Sequence, residues 1–191
     1  MRLLRSAAPM ALATFPAFLG SEMAGLTPER RAVTPPITTP ATGGLPERPP
    51  ATCPVSRPPS RPFVPPAPYP AKPGEGAFWF GTAKLWTGLP VDGAWRGLGH
   101  YSPTTPGFRQ KIFWWREGYY WLADPTPELK VTGRRLDGPA PPFVIPRATN
   151  GYKGDLKSFM LVGADIPTYG CWEITGQFKW DKLTFVIWVG P

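Results

Sequence analysis

From about residue 77 onward, apolar and polar residues alternate in short runs with a period of two. No window sustains a period near 3.6. The runs are separated by Gly, Pro, Asp and Asn at intervals of about ten residues. This pattern predicts strands at residues 77–80, 84–89, 109–115, 119–122, 128–136, 158–163, 171–178 and 183–189. Short strands at that spacing predict an all-β chain, an antiparallel β-sandwich that is immunoglobulin-like in the loose architectural sense.

The last two runs predict a hairpin. With a four-residue loop at Lys179, Trp180, Asp181 and Lys182, Phe178 faces Leu183, Gly176 faces Phe185, Ile174 faces Ile187 and Trp172 faces Val189. That face is apolar throughout, and Phe185 can cover the gap at Gly176. The opposite face carries Cys171, Glu173, Thr175 and Gln177. A slip of one residue would bury these polar groups, so the choice of face is well determined. In the run ELKVTGRRL, Leu129 and Val131 share a face and Leu136 breaks the phase; a bulge at Gly133 is expected to restore it.

Composition divides the chain. Sixteen of the 29 prolines lie in residues 27–73, whereas all nine tryptophans lie at or beyond Trp79. Residues 1–26 read as a probable signal peptide: Arg2 and Arg5 precede an uncharged apolar stretch, 7–20, that is too short to span a bilayer. Residues 27–52 read as a proline-rich disordered linker, because proline removes backbone donors and blocks helical neighbours. Residues 53–76 add Val55, Phe63, Val64 and Tyr69, and are expected to lie as an extended segment strapped onto the domain of residues 77–191.

Export makes the two cysteines informative. Cys53 opens the strap and Cys171 sits on the mixed face of the hairpin; a disulfide between them is the expected state, with two free thiols as the alternative. Such a bridge would hold residues 53–73 over Val186 and Trp188.

Several motifs then form a recognisable set: CPV at 53–55, KLWT at 84–87, DGAWR at 92–96, FWWR at 113–116, TGRRLDGPAPP at 132–142, and PTYGCWEITG at 167–176 followed by LTFVIWV at 183–189. The set resembles an uncharacterised family of exported bacterial proteins with no known activity. Members typically read FPWWRG, TGRRLDAPAPP and PTPGCWEVTG, then LTFVV after a short turn. The chain departs from this pattern at Tyr169 and at the turn of residues 179–182. The resemblance implies export, both cysteines and a β-sandwich.

Little in the sequence points to catalysis. One His and two Cys are too few for a His/Cys zinc site, and no metal or cofactor is expected. His100 lies in a Gly-rich loop and reads as a surface residue. There is no nucleophile elbow and no phosphate loop. Most aspartates lie beside Gly or Pro, where they serve turns. The net charge of +8 suits anionic partners, but the basic residues are scattered, and export argues against nucleic acid. The aromatic density is the unusual feature. Trp114 and Trp115 must face opposite ways on a strand, so one is expected to be exposed or covered by the proline-rich segment.

The sequence therefore predicts a non-enzymatic, secreted or envelope-associated β-sandwich with no transmembrane span in the mature chain. It would act as an accessory or interaction module for an unknown protein or envelope polymer. One alternative is a carbohydrate-binding domain using Trp115, Arg116, Tyr119 and Trp121. A second is a hydrolase with an unrecognised carboxylate pair.

Overall fold

In the computed structural model the described residues are 46–101, 103, 104 and 106–191. The expected signal peptide and most of the expected linker lie outside them. The described chain is all-β, with ten strands in two five-stranded sheets packed as a sandwich. The first sheet has the order β1 (Ala77–Thr82), β2 (Leu85–Pro90), β4 (Phe108–Trp115), β8 (Lys157–Ile166), β7 (Thr149–Lys153). The second has the order β3 (Ala94–Trp95), β10 (Asp181–Val189), β9 (Gly170–Phe178), β5 (Leu129–Arg135), β6 (Phe143–Ile145). All neighbours are antiparallel except β3 and β10, which run parallel.

The main core lies between the sheets. Leu85, Leu89, Ile112, Trp114, Met160, Val162 and Ile166 from the first sheet meet Leu129, Val131, Trp172, Ile174, Phe185, Ile187 and Val189 from the second. The hairpin faces are those the alternation predicts, with Ile174 and Ile187 both fully buried in this core. The register differs by two residues. Phe178 pairs with Asp181, Gly176 with Leu183, Ile174 with Phe185 and Trp172 with Ile187. The loop is a two-residue turn, Lys179 and Trp180, and Lys179 has φ 53. A slip of two keeps every side chain on its face, so face alternation cannot distinguish the two pairings. Nor does Phe185 cover Gly176. The ring of Trp114, arriving from the opposite sheet, occupies the place where a Cβ would be.

Strand β5 contains no bulge. Its pairing with β9 is continuous from Leu129↔Phe178 to Arg135↔Trp172. Gly133 faces the core with Leu129 and Val131, and the Phe143 ring fills its missing side chain. Leu136 lies on the outer face because that face has an apolar site of its own, beside Cys53, Cys171 and Trp188.

Residues 53–76 supply that outer cover. Cys53 and Cys171 form a disulfide, with Cα atoms 5.6 Å apart. Bridges of this kind form and persist in oxidising, extracytoplasmic compartments. Next to it, the Ser56 amide donates to Val186 O at 2.8 Å, and the Val186 amide donates to Ser56 Oγ at 3.0 Å. Val55 packs against Gly93, which turns at φ +71 and has no room for a Cβ. Residues 53–56 cover Val186 and Trp188, a shorter stretch than the 53–73 expected there. The segment then leaves this sheet and passes to the outer face of the other. There Phe63 and Tyr69 pack on a second cluster, Trp79, Trp86, Trp115 and Phe159. Phe63 and Tyr69 lie 5.6 and 5.1 Å from the Trp86 ring.

Trp114 and Trp115 do face opposite ways, and both are buried: Trp114 in the central core, Trp115 in this outer cluster. Seven tryptophans are buried in all, at 79, 86, 95, 114, 115, 172 and 188. At 150–250 Å² per ring, each contributes on the order of 4–6 kcal/mol of gross burial energy.

Two outcomes test this arrangement. Gly176→Ala drives a methyl group into the Trp114 ring, and the expected cost is about 1–3 kcal/mol in a denaturant titration. Reduction of the disulfide, or the double substitution Cys53→Ala with Cys171→Ala, opens a loop of sequence separation 118. The expected loss is about 4–5 kcal/mol by the loop-entropy argument, read as a shift in denaturation midpoint.

Candidate functional site

The candidate site lies around residues 116–124, which the sequence pattern assigns in part to a strand and the structure folds as consecutive turns. The Tyr119 amide donates to Arg116 O at 3.3 Å, and the amides of Ala123 and Asp124 both reach Tyr120 O, at 3.1 and 3.3 Å. Asn150 on β7 ties the loop to the sheet: its Nδ2 donates to Trp121 O and, at 3.1 Å, to Asp124 O. Because the backbone turns, successive aromatic side chains do not alternate between two faces. Tyr119 points inward and is 8% exposed, Tyr120 points outward and is 55% exposed, and Trp121 is half-buried against the core.

The four residues singled out from the sequence are therefore not a common platform. Trp115 is buried; its indole N–H donates to Leu156 O at 3.0 Å, and its ring packs edge-on to Trp79. The Arg116 guanidinium lies 5.0 Å from the Phe178 ring centroid, and its Nε makes no hydrogen bond among the described residues. Tyr119 donates its hydroxyl to Asp124 O at 3.0 Å. Trp121 keeps part of its ring at the surface. There it stacks on Tyr152 of β7, with planes 27° apart and centroids 6.4 Å apart. Tyr152 is 54% exposed. Sequence reasoning passed over it because β7 (TNGYK) lacks the apolar alternation that marks a strand.

Tyr120 and Tyr152 flank a groove of about 600 Å³, lined also by Pro68, Tyr69, Glu117 and Lys157. Tyr120 and Tyr152 offer exposed rings, and Glu117 and Lys157 add charged groups to the lining; the Tyr69 and Tyr119 hydroxyls donate within the fold, to Arg116 O and Asp124 O. Lys157 holds φ 60, a left-handed conformation uncommon for a residue with a side chain. A second recess, about 470 Å³, opens where β2 and β4 part after Thr87↔Trp114. The Thr87 hydroxyl donates to Phe113 O at 2.8 Å beside that gap, and Trp79, Trp95 and Trp115 line it.

His100 is exposed, and its ring is held in place. Its Nδ1 donates to Gly107 O at 2.6 Å, and its ring lies 5.1 Å from Phe108, which stacks on Tyr169 at 4.0 Å. Among the described residues, no group of three His, Cys, Asp or Glu side chains is placed to hold a metal ion. No helix of the described residues is long and apolar enough to cross a membrane. The shifted carboxylates belong to the framework. Asp137 is pushed up by partial burial, but the Arg135 hydrogen bond at 2.7 Å, the Cys171 amide and the Arg135 charge outweigh this and hold it below the usual range.

The Tyr119 phenol is pushed up to about 12, first by burial and then by the nearby Asp124 charge. Its folded value thus lies above the ordinary value near 10. The stability this contributes is complete below about pH 10 and is lost as pH rises towards 12. Tyr119→Phe removes the titrating proton, and its unfolding free energy should fall less steeply than that of the parent over this range. Equal slopes would show that Tyr119 does not titrate as described.

The chain matches no protein-family model, no curated protein and no solved structure, so a reading of its function rests on the residues and geometry given above.

Proposed function

We propose that the protein is a non-enzymatic, exported or envelope-associated binding module whose ligand is a carbohydrate chain. The reading is carried by the groove between Tyr120 and Tyr152, with Trp121 stacked beside it. Sugar rings present apolar C–H faces with hydroxyls at the rim. Exposed aromatic rings satisfy the first, and convergent polar groups satisfy the second.

Two further points support it. The disulfide fits an oxidising compartment outside the cytoplasm. The Asn150 hydrogen bonds fix the aromatic loop before a ligand arrives, which lowers the ordering cost of binding. The rival reading, a hydrolase, has less support at this groove, whose lining includes one carboxylate, Glu117.

The test is a panel of soluble glycans and envelope polysaccharides against the intact chain, followed by Tyr120→Ala and Tyr152→Ala. Both side chains are more than half exposed, so the variants should fold. Each lost stacking contact is expected to cost about 1–2 kcal/mol, or roughly 5- to 30-fold in Kd. If no glycan binds, or both variants bind as the parent does, the carbohydrate reading is wrong.

A further inference from the structure

The turn between β9 and β10 carries a residue that the fold does not use. Trp180 is 94% exposed, whereas seven other tryptophans are buried. Its ring makes no ring-to-ring contact with a described residue. The turn has positive φ at its first residue alone, a position that favours Gly in a two-residue hairpin. Here it is Lys-Trp, with Lys179 at φ 53. The turn is held in place all the same, because Gln177 Nε2 donates to Lys179 O at 3.1 Å.

Cations surround this tip. Lys130, Gln177 and Lys182 form one row across β5, β9 and β10. Lys179 stands in the turn with its Nζ 5.7 Å from the Phe178 ring centroid. Lys84, with its side chain 78% exposed, reaches Asp181 only at 3.9 Å. Four lysines thus stand near Asp181, an aromatic ring projects among them, and Glu128, the residue before the Leu129↔Phe178 pair, is met by Arg147 at 3.9 Å.

We infer that this tip is a membrane-surface anchor, in which Trp180 enters the headgroup layer of an anionic bilayer while Lys84, Lys130, Lys179 and Lys182 lie over its acidic lipids. Indole is amphipathic and settles at the bilayer interface, and basic residues beside it are drawn to a negative surface. The shape favours a bilayer over a soluble polymer. A protruding point has no walls to enclose a chain, whereas a fluid interface accepts a single convex projection. Trp180 and the four lysines do not line the aromatic groove, so the inference does not depend on what the groove binds.

The experiment uses the full chain with vesicles of phosphatidylcholine, alone or mixed two-to-one with phosphatidylglycerol, the acyl chains brominated to quench nearby indoles. The segment before residue 46 contains no tryptophan, so quenching reports on the β-sandwich alone. Mixed vesicles should bind the chain and quench its emission, and added salt should reverse both. Trp180→Ala, which touches no core residue, should remove that quenching and weaken binding. Lys179→Gln and Lys182→Gln should each weaken binding about fivefold, the equivalent of about 1 kcal/mol per lysine at an anionic surface. The inference is overturned if Trp180→Ala binds mixed vesicles as tightly as the parent, or if the parent binds them without quenching. It is also overturned if poly(glycerol phosphate) binds in a Trp180-dependent manner while the vesicles do not.

Discussion

The tether between Cys53 and Cys171 fixes one end of an extended segment that closes both outer surfaces of the sandwich. A two-sheet domain ordinarily buries one face of each sheet and wets the other. This chain places Trp188 and Val186 on the outside of one sheet, and Trp79, Trp86 and Trp115 on the outside of the other. Neither set can remain in water without a large cost, and neither is reached by the opposite sheet. Residues 53–56 serve the first and residues 63–69 the second, so the proline-rich composition has a structural use. Proline presets an extended backbone and gives up little entropy when that backbone docks.

Face assignment was legible in the sequence wherever alternation was strict, as in β5, β9 and β10. Register was not, because shifting a hairpin by two residues leaves each side chain on its own side; the choice fell to a turn residue, Lys179, whose left-handed conformation a sequence does not advertise. The glycines were read by position rather than by neighbour. Gly176 and Gly133 are small because Trp114 and Phe143 arrive from elsewhere in the fold, and such partners are distant in sequence. Leu136 looked out of phase only because a second apolar surface, created by the strap, was not counted. The short strands β3, β6 and β7 have two, three and five residues, too few to show a period.

The candidate groove was legible in part. The density of aromatics around residues 114–121 was evident, but their directions depended on whether 119–122 formed a strand or a turn. The turn sends Tyr119 into the core and Tyr120 outward, and it brings up Tyr152 from β7, which no local pattern connects to that loop. Tyr69, part of the groove's lining, packs edge-on against the buried Trp86, with ring centroids 5.1 Å apart.

The position of the two half-cystines also sets an order of events during biosynthesis. Cys53 leaves the ribosome 118 residues ahead of Cys171. At typical elongation rates of 5–20 residues per second, that is a delay of roughly 6–24 s. Throughout it the first thiol has no mate, and the tryptophan surfaces that appear one after another have no lid held in place. The segment made first is thus the one secured last, and the nascent chain must be shielded from aggregation and mispaired thiols until its final hairpin emerges.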